Sequence, residues 1–224
     1  MKICPETLTL LKHFSTINSG ISIDPGNRIF SKSELGTMIA VATVAETFDK
    51  QFVTSYLANF LAAASLYDNP EFSFESTHVC IESDDGSQKT KFFYGNPDLV
   101  NQKNKLPKPQ PEVAFSFTLN REAYAKVLKA AATLSAPDIC FKASDGKIMI
   151  SAFDRKISTS SSFELHVADC DPELDYSFCF KKQYLNLMNS FTYECSISTT
   201  CLAEFTAVDS PFSELRFFTV AEQV

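Results

Sequence analysis

The chain has 224 residues, 45% of them hydrophobic with 21 Phe and no Trp, and a formal net charge of −7. That length holds one large domain or two of about 100 residues with a substantial core, and no apolar run reaches the ~20 residues of a membrane span. The acidic balance argues at first sight against nucleic acid, and seven scattered cysteines without a CxxC pair support neither disulfides nor zinc.

The chain opens directly on a helical pattern, with no basic-then-apolar leader, so a soluble protein of a reducing cytoplasm is the default expectation. Pro5 to Ile17 places Leu10, Leu11, Phe14 and Ile17 on one face and Thr9, Lys12 and Thr16 on the other, with Pro5 suited to a first turn. Met1 to Cys4 reads as a short strand before it, and Ile21–Ile23, Arg28–Ser31 and Thr37–Val44 as strands after it. From Asp49 a second unit begins, in which a helix capped by Thr54 or Ser55 buries Leu57, Phe60, Leu61 and Ala64 and carries no charge at all. Pro70, Phe72 and Phe74 continue it as a strand. Glu82-Ser83-Asp84-Asp85-Gly86 lacks the later ligand positions of a calcium loop and reads as a hairpin turn.

Gly95 to Pro111 holds four prolines, three lysines and no periodic pattern, which marks a connector between half-chains. Leu99, Val100 and Leu106 are apolar residues within it. We therefore expect a first domain over 1–95, a connector over 96–111 and a second domain over 112–224. In the second domain Val113, Phe115, Phe117 and Leu119 alternate as a strand, Asn120 caps a helix with Tyr124, Val127, Leu128, Ala131 and Leu134 inward, and Ser144-Asp145-Gly146 turns between two further strands. Phe163, Leu165 and Val167 follow a polar serine run, as suits an edge strand. Tyr176, Phe178 and Phe180 start a last unit, with a short helix over Lys181 to Ser190, extended chain over Tyr193 to Ala207, a final strand Leu215–Val220 and a four-residue tail.

These segments repeat. Tyr56, Ala62, Ala63, Ala64 and Leu66 match Tyr124, Ala130, Ala131, Ala132 and Leu134 at a constant offset, and Pro70, Phe72 and Phe74 answer Pro137, Ile139 and Phe141. Four consecutive units of one element order fill the chain. The helical segments carry Lys2, Lys12, Arg121, Lys126, Lys129, Lys181 and Lys182 against only Glu6 and Glu122, so the acidic excess lies elsewhere. If the helices share one side, that side is positive. No GxSxG, GxxxxGK[ST], HExxH or GxGxxG pattern occurs, so no enzyme, metal or cofactor is expected.

Leu10-Leu11-Lys12-His13-Phe14-Ser15-Thr16-Ile17-Asn18-Ser19-Gly20-Ile21, the Phe60-Leu61 and Ser65-Leu66 pairs, the proline-rich connector and Asp145-Gly146-Lys147-Ile148 with Ile150 resemble the DNA polymerase sliding clamps of T-even-type bacteriophages. The resemblance implies an α+β fold like that of proliferating cell nuclear antigen: two similar domains, each of two βαβββ units, with helices on one face of antiparallel sheets. It implies a homotrimeric ring around double-stranded DNA, a processivity factor in replication, lined by Lys2, Lys12, Arg121, Lys126, Lys129, Lys181 and Lys182. Such a lining attracts phosphates without reading bases.

The resemblance further implies an ATP-driven clamp loader, a role in late transcription, the cytoplasm of an infected bacterium, and a replicative polymerase whose C-terminal peptide docks on Leu99, Leu106, Pro107, Phe217, Phe218 and Val220. The uncharged second helix departs from an evenly basic lining. Two other classes remain open at this point, a structural protein of a virion and a single-strand nucleic-acid binder that stacks bases on Phe.

Overall fold

The computed structural model describes residues 1–100, 105–109 and 112–223. The chain divides into two compact units, Met1–Lys105 with Pro211–Leu215, and Leu106–Ser210 with Arg216 onward.

The first unit contains α1 (Pro5–Ile17), β1 (Ile21–Ile23), β2 (Gly26–Lys32), β3 (Met38–Phe48), β4 (Phe52–Thr54), α2 (Leu57–Ala64), β5 (Glu71–Phe74), β6 (His78–Glu82) and β7 (Lys89–Phe93). All its strand pairs are antiparallel: β1 with β4, β2 with β3, and β5–β6–β7 as a three-stranded sheet with β7 at one edge. The apolar stripe of α1 is buried at Leu10, Leu11 and Phe14, as its spacing requires. Its N-terminus is capped by the Cys4 sulfur, which accepts the Thr7 N–H at 3.5 Å, and braced by Glu46 of β3. One Glu46 oxygen accepts the Cys4 N–H at 2.6 Å and the other accepts the Thr7 hydroxyl at 2.8 Å. Burial tends to raise the Glu46 carboxyl, but these donors hold it below its ordinary range. The Phe side chains make the core, Phe60 meeting Phe52, Phe72 and Phe92 at centroid distances of 4.8 to 5.9 Å.

The second unit contains β8 (Val113–Leu119), α3 (Arg121–Thr133), β9 (Asp138–Ser144), β10 (Lys147–Phe153), β11 (Phe163–Asp169), β12 (Tyr176–Lys181), β13 (Tyr193–Ser198), β14 (Leu202–Ala207), the part of β15 (Glu214–Val220) from Arg216 on, and β16 (Glu222–Gln223). β13 pairs antiparallel with β8 and with β14, which in turn pairs with β15. A second sheet runs β11–β10–β9–β12–β16. The Asn120 carboxamide caps α3 through the Ala123 N–H at 2.8 Å, and Tyr124, Val127 and Ala131 bury its inner face, which packs on β10 and β11. Phe141 is the centre of this core, in contact with Phe117, Phe180 and Phe205.

Read in chain order, the elements follow strand, helix and three strands four times. The first strand shrinks to a bridge between Lys2 and Glu71, and the fourth helix to a 3-10 turn over Lys182–Tyr184. That turn corrects the helix expected from Lys181 to Ser190. Backbone groups that a helix would use internally are taken by side chains: Leu185 O accepts the Tyr124 hydroxyl at 2.7 Å, Leu187 N–H donates back to it at 3.2 Å, and Met188 O accepts the Tyr193 hydroxyl at 2.7 Å. Tertiary contacts override the local propensity.

Two further expectations are overturned. The tail after Val220 forms β16, pairing Gln223 with Phe178 and Glu222 with Cys179. Cys140 and Cys179 are joined in a disulfide, because the β9–β12 register sets them directly opposite one another, a neighbourhood that scattered sequence spacing does not reveal. Among the described residues no helix is long and apolar enough to cross a membrane, and no group of His, Cys, Asp and Glu could hold a metal ion.

Candidate functional site

The cations that the sequence singles out fall into two kinds. On α3, Lys126 and Lys129 are exposed, on the side away from Tyr124, Val127 and Ala131. Arg121 and Glu122, also exposed, pair at 2.8 Å and cancel locally. Lys12 is exposed on α1, and Lys182 half-exposed in the 3-10 turn. Among the described residues Lys12, Lys126, Lys129 and Lys182 enter no ion pair, so their charge is available to a partner.

Lys2 and Lys181 are occupied. Lys2 reaches Asp84 at 2.8 Å in an exposed pair, whereas Lys181 binds Asp138, whose side chain has no exposed surface, at 2.5 Å. Arg155 approaches the same Asp138 carboxylate at 3.4 Å and continues to Glu222 on β16. Burial pushes the Asp138 carboxyl upward, but the Lys181 hydrogen bond, the Arg155 backbone N–H and the two cations outweigh it and hold the group below the ordinary carboxylate range. Asp138 and Asp84 are the residues that sequence reasoning missed. Asp138 faces Lys181 in the β9–β12 register, so only strand pairing could have disclosed it.

The available cations are therefore unevenly divided between the two units. The described part of the first unit offers Lys12 and otherwise hydroxyls, amides and the methyl groups of Ala58 and Ala62 on α2, with Glu6 as its acid. The second unit concentrates Lys126, Lys129 and Lys182.

The expected peptide site is spread over different environments. Leu106 and Pro107 are half-exposed and Val220 is 50% exposed. Phe217 is a core residue with its ring 5.9 Å from that of Tyr193, and Phe218 is buried with the Arg216 guanidinium 4.9 Å from its centroid. The Leu99 side chain lies outside the described residues. Among the described residues Phe93 is the one exposed Phe, at 67%, and most of the other rings are packed in the two cores.

Comparison with known proteins places this arrangement. The chain is 32% identical over 209 residues to the sliding clamp of Vibrio phage KVP40, covering 92% of this chain and 94% of that one. The chain belongs to the phage sliding-clamp family. It is also 28% identical to the sliding clamp of Enterobacteria phage T4 over 80% of this chain and 79% of that one, and the family described as gp45 sliding clamp, C terminal, matches residues 116–210. Solved clamps share the fold at low identity. A. fulgidus PCNA, with the C-terminal region of FEN-1 bound to it, superposes with a TM-score of 0.71 at 10% identity over 96% of this chain and 94% of that one. The H. pylori beta clamp gives 0.69 at 13% identity, with all of this chain matched to 65% of that one. The α+β clamp fold and the role of a processivity factor in phage DNA replication follow, and the virion and base-stacking readings are set aside.

Proposed function

We propose that three copies of the chain close head to tail around duplex DNA and hold a replicative polymerase to it, with no catalytic step of their own. The observation that carries this reading is a set of lysines on α1, α3 and the 3-10 turn, exposed or half-exposed and in no ion pair among the described residues, on a chain whose net charge is −7. Lys126, Lys129, Lys182 and Lys12 supply diffuse attraction to phosphates, which holds a duplex without stopping it at a sequence. Arg121, Lys2 and Lys181, engaged with carboxylates, contribute less. The acidic remainder disfavours DNA elsewhere on the surface.

The edges of two sheets serve assembly. On β7, Lys91 and Phe93 are exposed, and on β11 Glu164 is exposed beside half-buried Phe163 and Leu165. An unpaired edge is a ready template for another strand, and opposite charges suit a β7-to-β11 contact between copies, covering Lys89 to Tyr94 on one and Ser158 to Leu165 on the next. The partner peptide docks on Leu106, Pro107 and the exposed Val220, a mode supported by the A. fulgidus clamp, which is seen with the C-terminal region of another protein. An ATP-driven loader, a late-transcription role and the cytoplasm of an infected bacterium complete the reading. Light scattering across a concentration series tests it: a mass of three chains is expected, and a strict monomer at high concentration rejects the ring.

A further inference from the structure

A cavity of about 380 Å³ opens in the first unit between α1, α2 and the turn before β5, within the size range of small-molecule sites. Its apolar walls are Leu8, Leu61, Tyr67 and Pro70. The Tyr67 hydroxyl is held by Thr90 at 2.5 Å, which fixes the ring that forms one wall. Exposed polar residues stand at its rim: Asp68 and Asn69, with Thr9, whose hydroxyl donates to Pro5 O at 2.8 Å. Two cations, Lys2 and Lys12, are exposed where they line it. Lys12 has no ion pair among the described residues, and the Lys2 pair with Asp84 is exposed and so easily exchanged for another anion.

The chemistry narrows the occupant. An alkyl chain would fill the apolar walls but leave Lys2 and Lys12 without an anion and the polar rim at Asp68 and Asn69 without a partner. A bare anion would use the lysines and leave the ring and aliphatic walls without a role. A flat heteroaromatic with donors and acceptors around its edge satisfies the ring, the amide and the carboxylate together, and an anionic group on a short arm satisfies the lysines. We propose that this cavity binds a nucleoside monophosphate unit, with the base between Tyr67 and the aliphatic wall and the phosphate at Lys2 and Lys12. The unit is either a free nucleotide or an unstacked residue of a DNA strand. The site stands on the cavity and does not require the ring, and nucleotide binding is measured separately from processivity.

The test uses the full chain labelled for NMR and titrated with deoxyadenosine monophosphate, deoxyadenosine, inorganic phosphate and a tetramer of deoxyadenylate. The expected result is saturable shifts confined to residues 2–12 and 61–70. The nucleoside should bind about tenfold more weakly than the nucleotide, and inorganic phosphate should give no localised response. Thr9→Trp, which fills the cavity from an exposed position, should abolish the shifts, and Lys12→Glu should weaken the nucleotide about tenfold while sparing the nucleoside. A tetramer that binds more tightly than the mononucleotide with the same Thr9→Trp sensitivity assigns the site to a strand, and one that binds no better assigns it to free nucleotide. Shifts that spread equally to Lys126 and Lys129, that survive Thr9→Trp, or that inorganic phosphate reproduces would overturn the proposal, as would no response to either nucleotide form.

Discussion

Replacing both Lys126 and Lys129 by Glu should damage the hold on DNA and leave the fold untouched, whereas Lys181→Glu should do the reverse. The first two side chains are exposed, face away from the α3 core and pair with no acid among the described residues. Each lysine–phosphate contact contributes about 0.9 to the slope of log affinity against log salt, so losing two flattens that slope by roughly 2 for every chain of the ring that touches the duplex. Over a fourfold rise in salt this amounts to roughly a tenfold smaller loss of binding for each such chain, with the largest deficit at low salt. Lys181 is different, because it neutralises the wholly buried Asp138. Removing one partner of a buried pair costs about 3–5 kcal/mol, and because Lys181 is part-exposed and Arg155 stays beside the carboxylate the change falls at or below the lower end, at about 2–3 kcal/mol. Loader-dependent primer extension across a salt series and urea unfolding report the two effects separately. Unchanged processivity of the Lys126/Lys129 variant at every salt concentration, or wild-type urea stability of Lys181→Glu, would refute the division between available and occupied lysines.

Leu106→Asp should weaken binding of a polymerase C-terminal peptide by more than ~1 kcal/mol without changing the trimer, which calorimetry and light scattering check together. The Asp138 carboxyl is held below its unfolded value, so its stabilisation is complete above about pH 4 and is lost as pH falls through the lower folded value. The urea midpoint of the wild type should drop in that acid range, and Asp138→Asn, less stable at neutral pH, should show a shallower drop. Reducing Cys140–Cys179, which spans 39 residues, should cost up to about 4 kcal/mol in the loop-entropy account, and equal unfolding curves with and without reductant would contradict it.

Elements governed by local signals were legible in the sequence. The α1 stripe, the Asn120 cap and the Asp145-Gly146 turn depend on residues a few positions apart, and they occur where periodicity and turn chemistry put them. What depends on strand pairing was not legible. The Lys181 partner, the Cys140–Cys179 bond and the short β16 all follow from β9, β12 and β16 lying side by side, and no spacing in the chain announces that. The lost fourth helix has the same origin, since the hydroxyls of Tyr124 and Tyr193 arrive from distant positions to occupy backbone groups between Leu185 and Met188. Among the candidate lysines, exposure was read correctly on α3, where the helical face decides it, and poorly at the end of β12.

With the proposed β7-to-β11 contact, the two sheet edges make the chain a bifunctional monomer in the polymer chemist's sense, with one head and one tail per molecule. Such a monomer yields either a cycle or an open series, and the cycle wins only while the angle between successive links returns the last head to the first tail. Each edge can also be capped independently. A chain blunted at β7, for instance by Phe93→Lys, still offers its β11, and a chain blunted at β11 still offers its β7. Each alone is a chain terminator, and an equimolar mixture stops at a linear pair that cannot close.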